Sequence, residues 1–194
     1  IIGWTTFGHP GATRLLSKSS ETGRMAHAYL ITGPEKVGKR TLAIDIACMV
    51  NSDPVNDMFG EASNIDLSTS HQAERIRKGI HSDVRVIDVD TELDKDAKKA
   101  SSEDAPTRGR QTISIEHIRE LIKDSATMPF EGNKKVYIID GAHRMVEAAF
   151  NAMLKTLEEP TDEVVIVLTA PSAESLPETV VSRCQRIDLR PVDP

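Results

Sequence analysis

One stretch of the chain, HAYLITGPEKVGKRTLAIDIACMV, restricts the possible folds more than any other. A short apolar run, AYLIT, is followed by a glycine-bounded loop and then by apolar residues at helical spacing, Leu42, Ile46 and Met49. This order predicts a buried strand, a loop and a helix in direct succession. A strand that leads straight into a helix is typical of domains built around a parallel sheet.

The loop in this stretch fits most of the G-x-x-x-x-G-K-[ST] pattern, with Gly33, Gly38 and Lys39 in register. In such a loop the backbone N–H groups and the helix N-terminus surround phosphate groups, and the lysine neutralises their charge. We therefore predict a degenerate nucleotide site here, which also includes Arg40, Thr41 and, at the end of the strand KVYIID, Asp140. Two alternatives stay open at this point: residual binding of ATP or ADP, and a turn that binds nothing.

Two positions predict that this site does not hydrolyse ATP. Arg40 stands where the pattern supplies a hydroxyl ligand for Mg²⁺, and a guanidinium has no lone pair for a metal and repels it. Thr41 lies about 100° further round the helix and cannot simply take over. The strand KVYIID ends in Asp140, but Gly141 follows where a glutamate would prepare a water for attack. Lys36, in place of a third glycine, would make a left-handed backbone cost about 1–2 kcal/mol.

The rest of the chain continues the alternation of strands and helices. Four more strands are predicted, in DVRVIDVD, KVYIID, EVVIVLTA and QRIDL, with helical patterns between them, one of them capped by Ser114. We predict an α/β fold of three layers, with a central parallel five-stranded sheet flanked by helices. A length of 194 residues is enough for one such domain with a proper core.

Composition excludes several classes of protein. The net charge of -6 argues against a uniformly basic surface that coats DNA. Cys48 and Cys184 lie far apart without a CxxC pair, so neither a disulfide framework nor a zinc finger is supported. No apolar run approaches the roughly 20 residues that span a bilayer, and no signal pattern opens the chain. We expect a cytoplasmic protein without a membrane partner.

Several runs taken together resemble the clamp-loader branch of the AAA+ family of P-loop NTPases. They are VYIIDGAHRM, FNAMLKTLEEP and VIVLTAPSAESLPETVVSRCQRIDLRPV, of which LKTLEEP and SRC are the most characteristic parts. Within that branch the chain looks most like the delta-prime type of subunit in bacterial DNA polymerase III. The resemblance implies one AAA+ nucleotide-fold domain over residues 1–194, without the lid and collar domains of the family, so that the fragment alone would be monomeric.

Two segments match the family poorly. Residues 51–80 correspond to a region that carries a four-cysteine zinc module in many relatives. Here only Cys48 is at hand, and His71 with scattered acids lacks ligand spacing, so we expect a degenerate module, no zinc and no other metal site. Residues 91–111 are charged and small, which predicts a mobile surface loop.

The resemblance implies a non-hydrolysing stator subunit that assists a neighbour. Such subunits present the arginine of the SRC motif to the ATP site of an adjacent motor subunit, which here would be Arg183, flanked by Ser182 and Cys184. An arginine finger of this kind can accelerate phosphoryl transfer by factors on the order of 10³ to 10⁵. The implied partners are gamma/tau and delta subunits of the polymerase holoenzyme and, indirectly, the sliding clamp and primer-template DNA. Alternatively, Arg183 is a plain surface residue or pairs with an acidic neighbour.

Two rival functions differ in class. One is an active ATPase motor of the gamma/tau type, in which Arg40 is tolerated and another acid, such as Glu147, acts through water. The other is a small-molecule P-loop kinase, which needs an acceptor site and a lid that nothing in the sequence marks. Thr169 stands where the family often has a polar sensor residue, but Ala170 and Pro171 follow it.

Overall fold

A parallel β-sheet forms the centre of the molecule. The computed structural model describes residues 3–52, 67, 70–89 and 112–191. Its strands are β1 (Ala28–Thr32), β2 (Val84–Ile87), β3 (Lys135–Ile139), β4 (Val164–Ala170) and β5 (Gln185–Asp188). They lie in the order β2-β3-β4-β1-β5, and each neighbouring pair is parallel. The predicted five-stranded parallel sheet is confirmed.

The helices lie where the apolar periodicity predicts them. They are α1 (Pro10–Glu21), α2 (Lys39–Asn51), α3 (His71–Arg77), α4 (Ile115–Ser125), α5 (Glu147–Glu158) and α6 (Glu178–Val181). Short 3-10 helices cover Ala142–Arg144 and Ala173–Ser175. Ser114 is the N-cap residue of α4, as predicted, but its hydroxyl lies 2.8 Å from Nδ1 of His117 instead of capping a backbone N–H.

Alternate residues of the central strands feed two separate cores. On one face, α4, α5 and α6 cover the sheet with side chains such as Leu121, Met153 and Val180. On the other face, α1, α2 and α3 do so with side chains such as Leu16 and Ile46. Because every residue of β1, β3 and β4 is buried, both faces of these strands are covered, which is the three-layer arrangement expected of a parallel sheet.

Strand register brings several polar residues to the carboxyl edge of the sheet. Ile87 is level with Ile139, and Ile139 with Leu168. The residues that come directly after these three, Asp88, Asp140 and Thr169, are therefore neighbours. Since β1 runs in the same direction, the loop that begins at Gly33 emerges at this edge too.

A buried carboxylate fixes the N-terminal segment to α2. Asp45 is fully buried and accepts hydrogen bonds from the backbone N–H and the hydroxyl of both Thr5 and Thr6, at 2.5–3.0 Å. Arg77 of α3 lies 3.8 Å from the same carboxylate. The segment therefore packs beside the phosphate loop, where Nε2 of His9 lies 2.8 Å from the carbonyl oxygen of Val37.

Some sequence predictions concern residues that the structure does not describe. The predicted mobile loop at 91–111 lies outside the described residues, and so does most of 51–69 within the predicted degenerate zinc module. Across the described ranges, no group of three or more His, Cys, Asp or Glu side chains is arranged to hold a metal ion. Among the helices described, none is both long and apolar enough to cross a bilayer.

Candidate functional site

The phosphate loop has the backbone that its glycines predict. Gly38 adopts a left-handed conformation with φ 99° as the N-cap of α2. Gly33 has φ 150°, and a Cβ there would lie 2.5 Å from the carbonyl oxygen of Leu189, so no larger residue fits. Lys36 takes φ 61°, a left-handed conformation that costs a non-glycine residue about 1–2 kcal/mol. The loop thus keeps its left-handed glycines, and Lys36 adopts a strained left-handed backbone in place of the third glycine.

Lys39 points back into its own loop. Its Nζ donates to the carbonyl oxygens of Gly33 at 2.7 Å and Pro34 at 2.5 Å. Partial burial lowers the pKa of Lys39, against the opposing charges of Asp140 and Glu35. Its position at the start of α2 suits charge neutralisation of a bound phosphate, but that phosphate must compete with two carbonyl oxygens.

Arg40 lies between two carboxylates at the place where a metal ligand was expected. Its Nη1 donates to Oδ2 of Asp88 at 2.6 Å and to Oδ2 of Asp140 at 3.2 Å. Burial lowers the pKa of Arg40, but the hydrogen bond to Asp88 and the charges of both carboxylates outweigh that effect, so the pKa is raised. The side chain of Arg40 is 50% exposed, whereas those of Asp88 and Asp140 are 15% and 24% exposed. One guanidinium therefore holds together the two acidic strand ends.

The second oxygen of Asp140 is engaged as well. The hydroxyl of Thr169 donates to Oδ1 of Asp140 at 2.5 Å and accepts the N–H of Gly141 at 2.9 Å. Thr169 is buried, so its hydroxyl ties β3 to β4 within the protein. Thr41 is exposed and contributes no hydroxyl to this group. The residues present do not fit a Mg²⁺ site, because a fixed cation lies between the two carboxylates and the hydroxyl ligand is missing.

Gly141 has a conformational reason to be glycine. Its φ is 78°, and it begins the 3-10 helix at Ala142–Arg144. A Cβ would meet only ordinary contacts there, the nearest being the Cδ of Arg144 at 3.7 Å, so a larger residue is opposed by the backbone and not by crowding.

Nearby, Nδ1 of His143 is buried without a hydrogen-bond partner in the part of the chain described. Burial and the charges of Arg144 and Lys39 lower the pKa of His143, so the ring favours its neutral form.

Arg183 lies at the opposite edge of the sheet from the phosphate loop, where the parallel strands begin. It precedes β5, and Gln185 is level with Tyr29, four residues before Gly33. At about 3.3 Å per residue this places the start of β5 roughly 13 Å from the phosphate loop along the strand direction. The structure therefore brings Gly33, Gly38, Lys39, Arg40 and Asp140 together, but it does not bring Arg183 to them.

Arg183 pairs with an acidic neighbour. Its Nη2 donates to Oε1 of Glu158 at 2.6 Å, and its Nη1 donates to the carbonyl oxygen of Thr179 at 2.6 Å. Ser182 is exposed at the C-cap of α6, whereas the thiol of Cys184 packs against the core, where burial raises its pKa to about 12. The pairing that sequence reasoning left open is thus present.

Sequence reasoning missed Asp88 and Glu158 as members of these two sites. Asp88 had a usable signal, because it ends a strand whose parallel neighbour ends in Asp140. No sequence spacing pointed to Glu158, because its contact with Arg183 depends on how α5 and α6 pack.

Comparison with known proteins places the chain in a family. The family described as DNA polymerase III, delta subunit, matches residues 8–193. The DNA polymerase III subunit tau of Bacillus subtilis is 31% identical over 185 residues, covering 94% of this chain and 28% of that protein. The subunit delta' of the same organism is 29% identical over 189 residues, with 95% and 48% covered. The subunit gamma of Buchnera aphidicola from Acyrthosiphon pisum is 30% identical over 175 residues, with 87% and 40% covered.

Solved structures agree on the fold. A DNA polymerase III gamma subunit-related protein of Thermotoga maritima has a TM-score of 0.59 at 23% identity, covering 90% of this chain and 45% of that one. The Holliday junction branch migration motor RuvB of the same organism has a TM-score of 0.52 at 15% identity, with 94% and 45% covered. The chain spans less than half the length of these relatives. It belongs to the DNA polymerase III delta subunit family, within the clamp-loader branch of the AAA+ proteins.

Proposed function

We propose that this chain is the nucleotide-fold domain of a delta-prime-type stator, which hydrolyses no ATP itself and lends Arg183 to the ATP site of a neighbouring motor subunit. The observation that carries the first half of the proposal is the position of Arg40 between Asp88 and Asp140. The second half rests on the place of Arg183 in the fold and on its resemblance to the family's SRC arginine.

Arg40 argues against hydrolysis in two ways. Its guanidinium already pairs with both carboxylates that would hold Mg²⁺, offsetting one of their two negative charges, and it would repel the ion from that position. With Gly141 in place of a catalytic glutamate, the position after Asp140 carries no carboxylate that could activate a water. Phosphoryl transfer needs both the metal and the positioned nucleophile, so this site lacks the means for turnover. Gly33, Gly38 and Lys39 still leave room for residual binding of ATP or ADP.

The location of Arg183 favours action in trans. It lies at the edge of the sheet opposite the phosphate loop, so its guanidinium is too far away to serve the chain's own site. Its side chain is 32% exposed, which makes it accessible to another molecule. A permanent cation brought against a neighbour's nucleotide would stabilise the charge of its transition state.

The partners follow from the same proposal. Relatives of this chain are named gamma, tau and delta' subunits of DNA polymerase III. We place this chain with gamma/tau and delta subunits in a cytoplasmic clamp loader, which acts on a sliding clamp at primer-template DNA.

An active motor of the gamma/tau type is the rival. Its support is the similarity to gamma and tau, which equals the similarity to delta', and the preserved shape of the loop around Lys39. Glu147, the acid available to such an enzyme, is exposed in the first turn of α5.

A titration of ATP and ADP into the protein, with and without Mg²⁺, separates the two functions when hydrolysis is followed on the same sample. The stator proposal expects no Mg²⁺-dependent turnover and weak or absent nucleotide binding. Tight Mg²⁺-dependent binding with turnover would instead favour the motor.

The finger is tested in the full-length protein, assembled with its partner subunits. In a single-turnover assay of the complex, Arg183→Ala should lower the rate at which one ATP per complex is hydrolysed by a factor on the order of 10³. Arg186→Ala is the matched control, because Arg186 is also an exposed arginine in a 2.6 Å ion pair, with Asp188. If Arg183→Ala and Arg186→Ala hydrolyse ATP alike, Arg183 is not the finger.

A further inference from the structure

The ion pair between Glu158 and Arg183 joins the ends of two helices. Glu158 is the last residue of α5, and Arg183 follows the C-terminus of α6. Oε1 of Glu158 accepts from Nη2 of Arg183 at 2.6 Å, while Nη1 is held at 2.6 Å by the carbonyl oxygen of Thr179. Two contacts from separate elements thus fix the direction of the guanidinium.

This arrangement resolves a local electrostatic conflict. Glu158 and Glu159 stand together at the C-terminus of α5, where the helix dipole disfavours negative charge. The guanidinium of Arg183 supplies the cation that this end needs, and it also meets a terminal carbonyl of α6. The pair therefore stabilises the arginine in the conformation seen here.

The same contact opposes the proposed work of Arg183. A carboxylate at 2.6 Å balances the charge of the guanidinium, so little net positive charge remains for a phosphate. A triphosphate that approached Arg183 in this conformation would also meet the negative charge of Glu158. To bind phosphate, Arg183 must exchange one anion for another.

We infer that Glu158 is a positioning residue that holds Arg183 in a parked conformation, and that the nucleotide of a neighbouring subunit must displace Glu158 before the arginine engages. This inference rests on the proposed arginine finger. The hold is weak, because the side chains of Arg183 and Glu158 are 32% and 48% exposed and solvent screens their attraction. A weak hold suits release upon assembly.

The test uses the full-length protein in its assembled complex and follows single-turnover ATP hydrolysis. Glu158→Gln keeps the shape of the side chain but removes its charge. Release of an exposed ion pair should accelerate the phase that depends on Arg183 by about two- to fivefold. Glu159→Gln is the matched control, since Glu159 is exposed at the same helix end and makes no ion pair among the described residues.

The Arg183→Ala background separates positioning from a structural effect. Glu158→Gln should not change the hydrolysis rate there, and both glutamine variants should stay folded, with melting temperatures within about 4 °C of the wild type. An unchanged or slower rate in Glu158→Gln, or an acceleration that persists without Arg183, overturns the inference. If Arg183→Ala itself has no effect, the proposed function fails instead, so the two failures are distinguishable.

Discussion

Replacing Arg40 with serine should turn a site that is bridged by a guanidinium into one that responds to Mg²⁺. The change removes the guanidinium from between Asp88 and Asp140 and restores a hydroxyl at the position where a phosphate loop supplies one. Without a cation, two carboxylates at neighbouring strand ends repel each other. We expect the Arg40→Ser protein to be less stable than the wild type in EDTA and to regain stability as Mg²⁺ is added.

The size of the loss follows from the geometry. Arg40 makes two ion pairs, but its side chain is 50% exposed, so each pair contributes only a fraction of a kcal/mol to about 1 kcal/mol. The free energy of unfolding should fall by about 1–2 kcal/mol, which corresponds to about 2–8 °C in Tm for a domain of this size. Mg²⁺ at ten times its Kd would restore about 1.4 kcal/mol.

Differential scanning calorimetry in EDTA and across a Mg²⁺ series measures both effects. Arg14→Ser is the matched control, because Arg14 is an exposed helical arginine with no ion pair in the described part of the chain. The control should lose little stability and should respond to Mg²⁺ as the wild type does. Equal melting curves for Arg40→Ser and Arg14→Ser at every Mg²⁺ concentration would show that Arg40 does not take the place of a metal.

Three further changes test other parts of the structure. Gly141→Glu should cost about 1–2 kcal/mol because φ is 78°, and Gly141→Asn should cost less; urea denaturation compares them, and equal stability of all three proteins would refute the strain. Asp45→Ala should cost roughly 3 kcal/mol and expose the segment at Thr5 and Thr6 to limited proteolysis, since four hydrogen bonds to a buried carboxylate are lost. Burial raises the pKa of Cys48 from 9.0 to about 12, so the unfolded thiol loses its proton first and stability should fall as pH rises from 9 towards 12. Urea denaturation at pH 8 and 10 should show a smaller fall for Cys48→Ala, and an identical fall would count against the shift.

The fold could be predicted from the sequence because its strongest signals are local. The three central strands β1, β3 and β4 are short, mostly apolar runs that are buried throughout, and each long helix carries apolar residues at a period near 3.6. The tertiary packing agrees with this local pattern. The exceptions are contacts between distant residues. The bonds from Thr5 and Thr6 to Asp45 span about 40 positions and leave no periodic trace.

Only part of the chemistry of the site could be predicted from the sequence. Composition of the loop gave the defect at Arg40, because a guanidinium cannot bind a metal whatever its surroundings. The loop composition did not predict the ion pairs that Arg40 makes in place of a metal. These pairs require Asp88 and Asp140 to follow adjacent strands at the same level. Gly141 likewise read as a missing base, but its left-handed backbone became visible only in three dimensions.

The polarity of the parallel sheet places Arg40 and Arg183 at opposite ends of the strands. All strands run in one direction, so every residue that follows a strand gathers at one edge and every residue that precedes a strand lies at the other. Arg40 lies at the first edge and Arg183 at the second, with the length of a strand between them and, among the described residues, no partner in common. Energetic effects at sites so far apart are usually additive. Under the stator proposal, the loss of turnover at one edge therefore places no constraint on the arginine at the other edge.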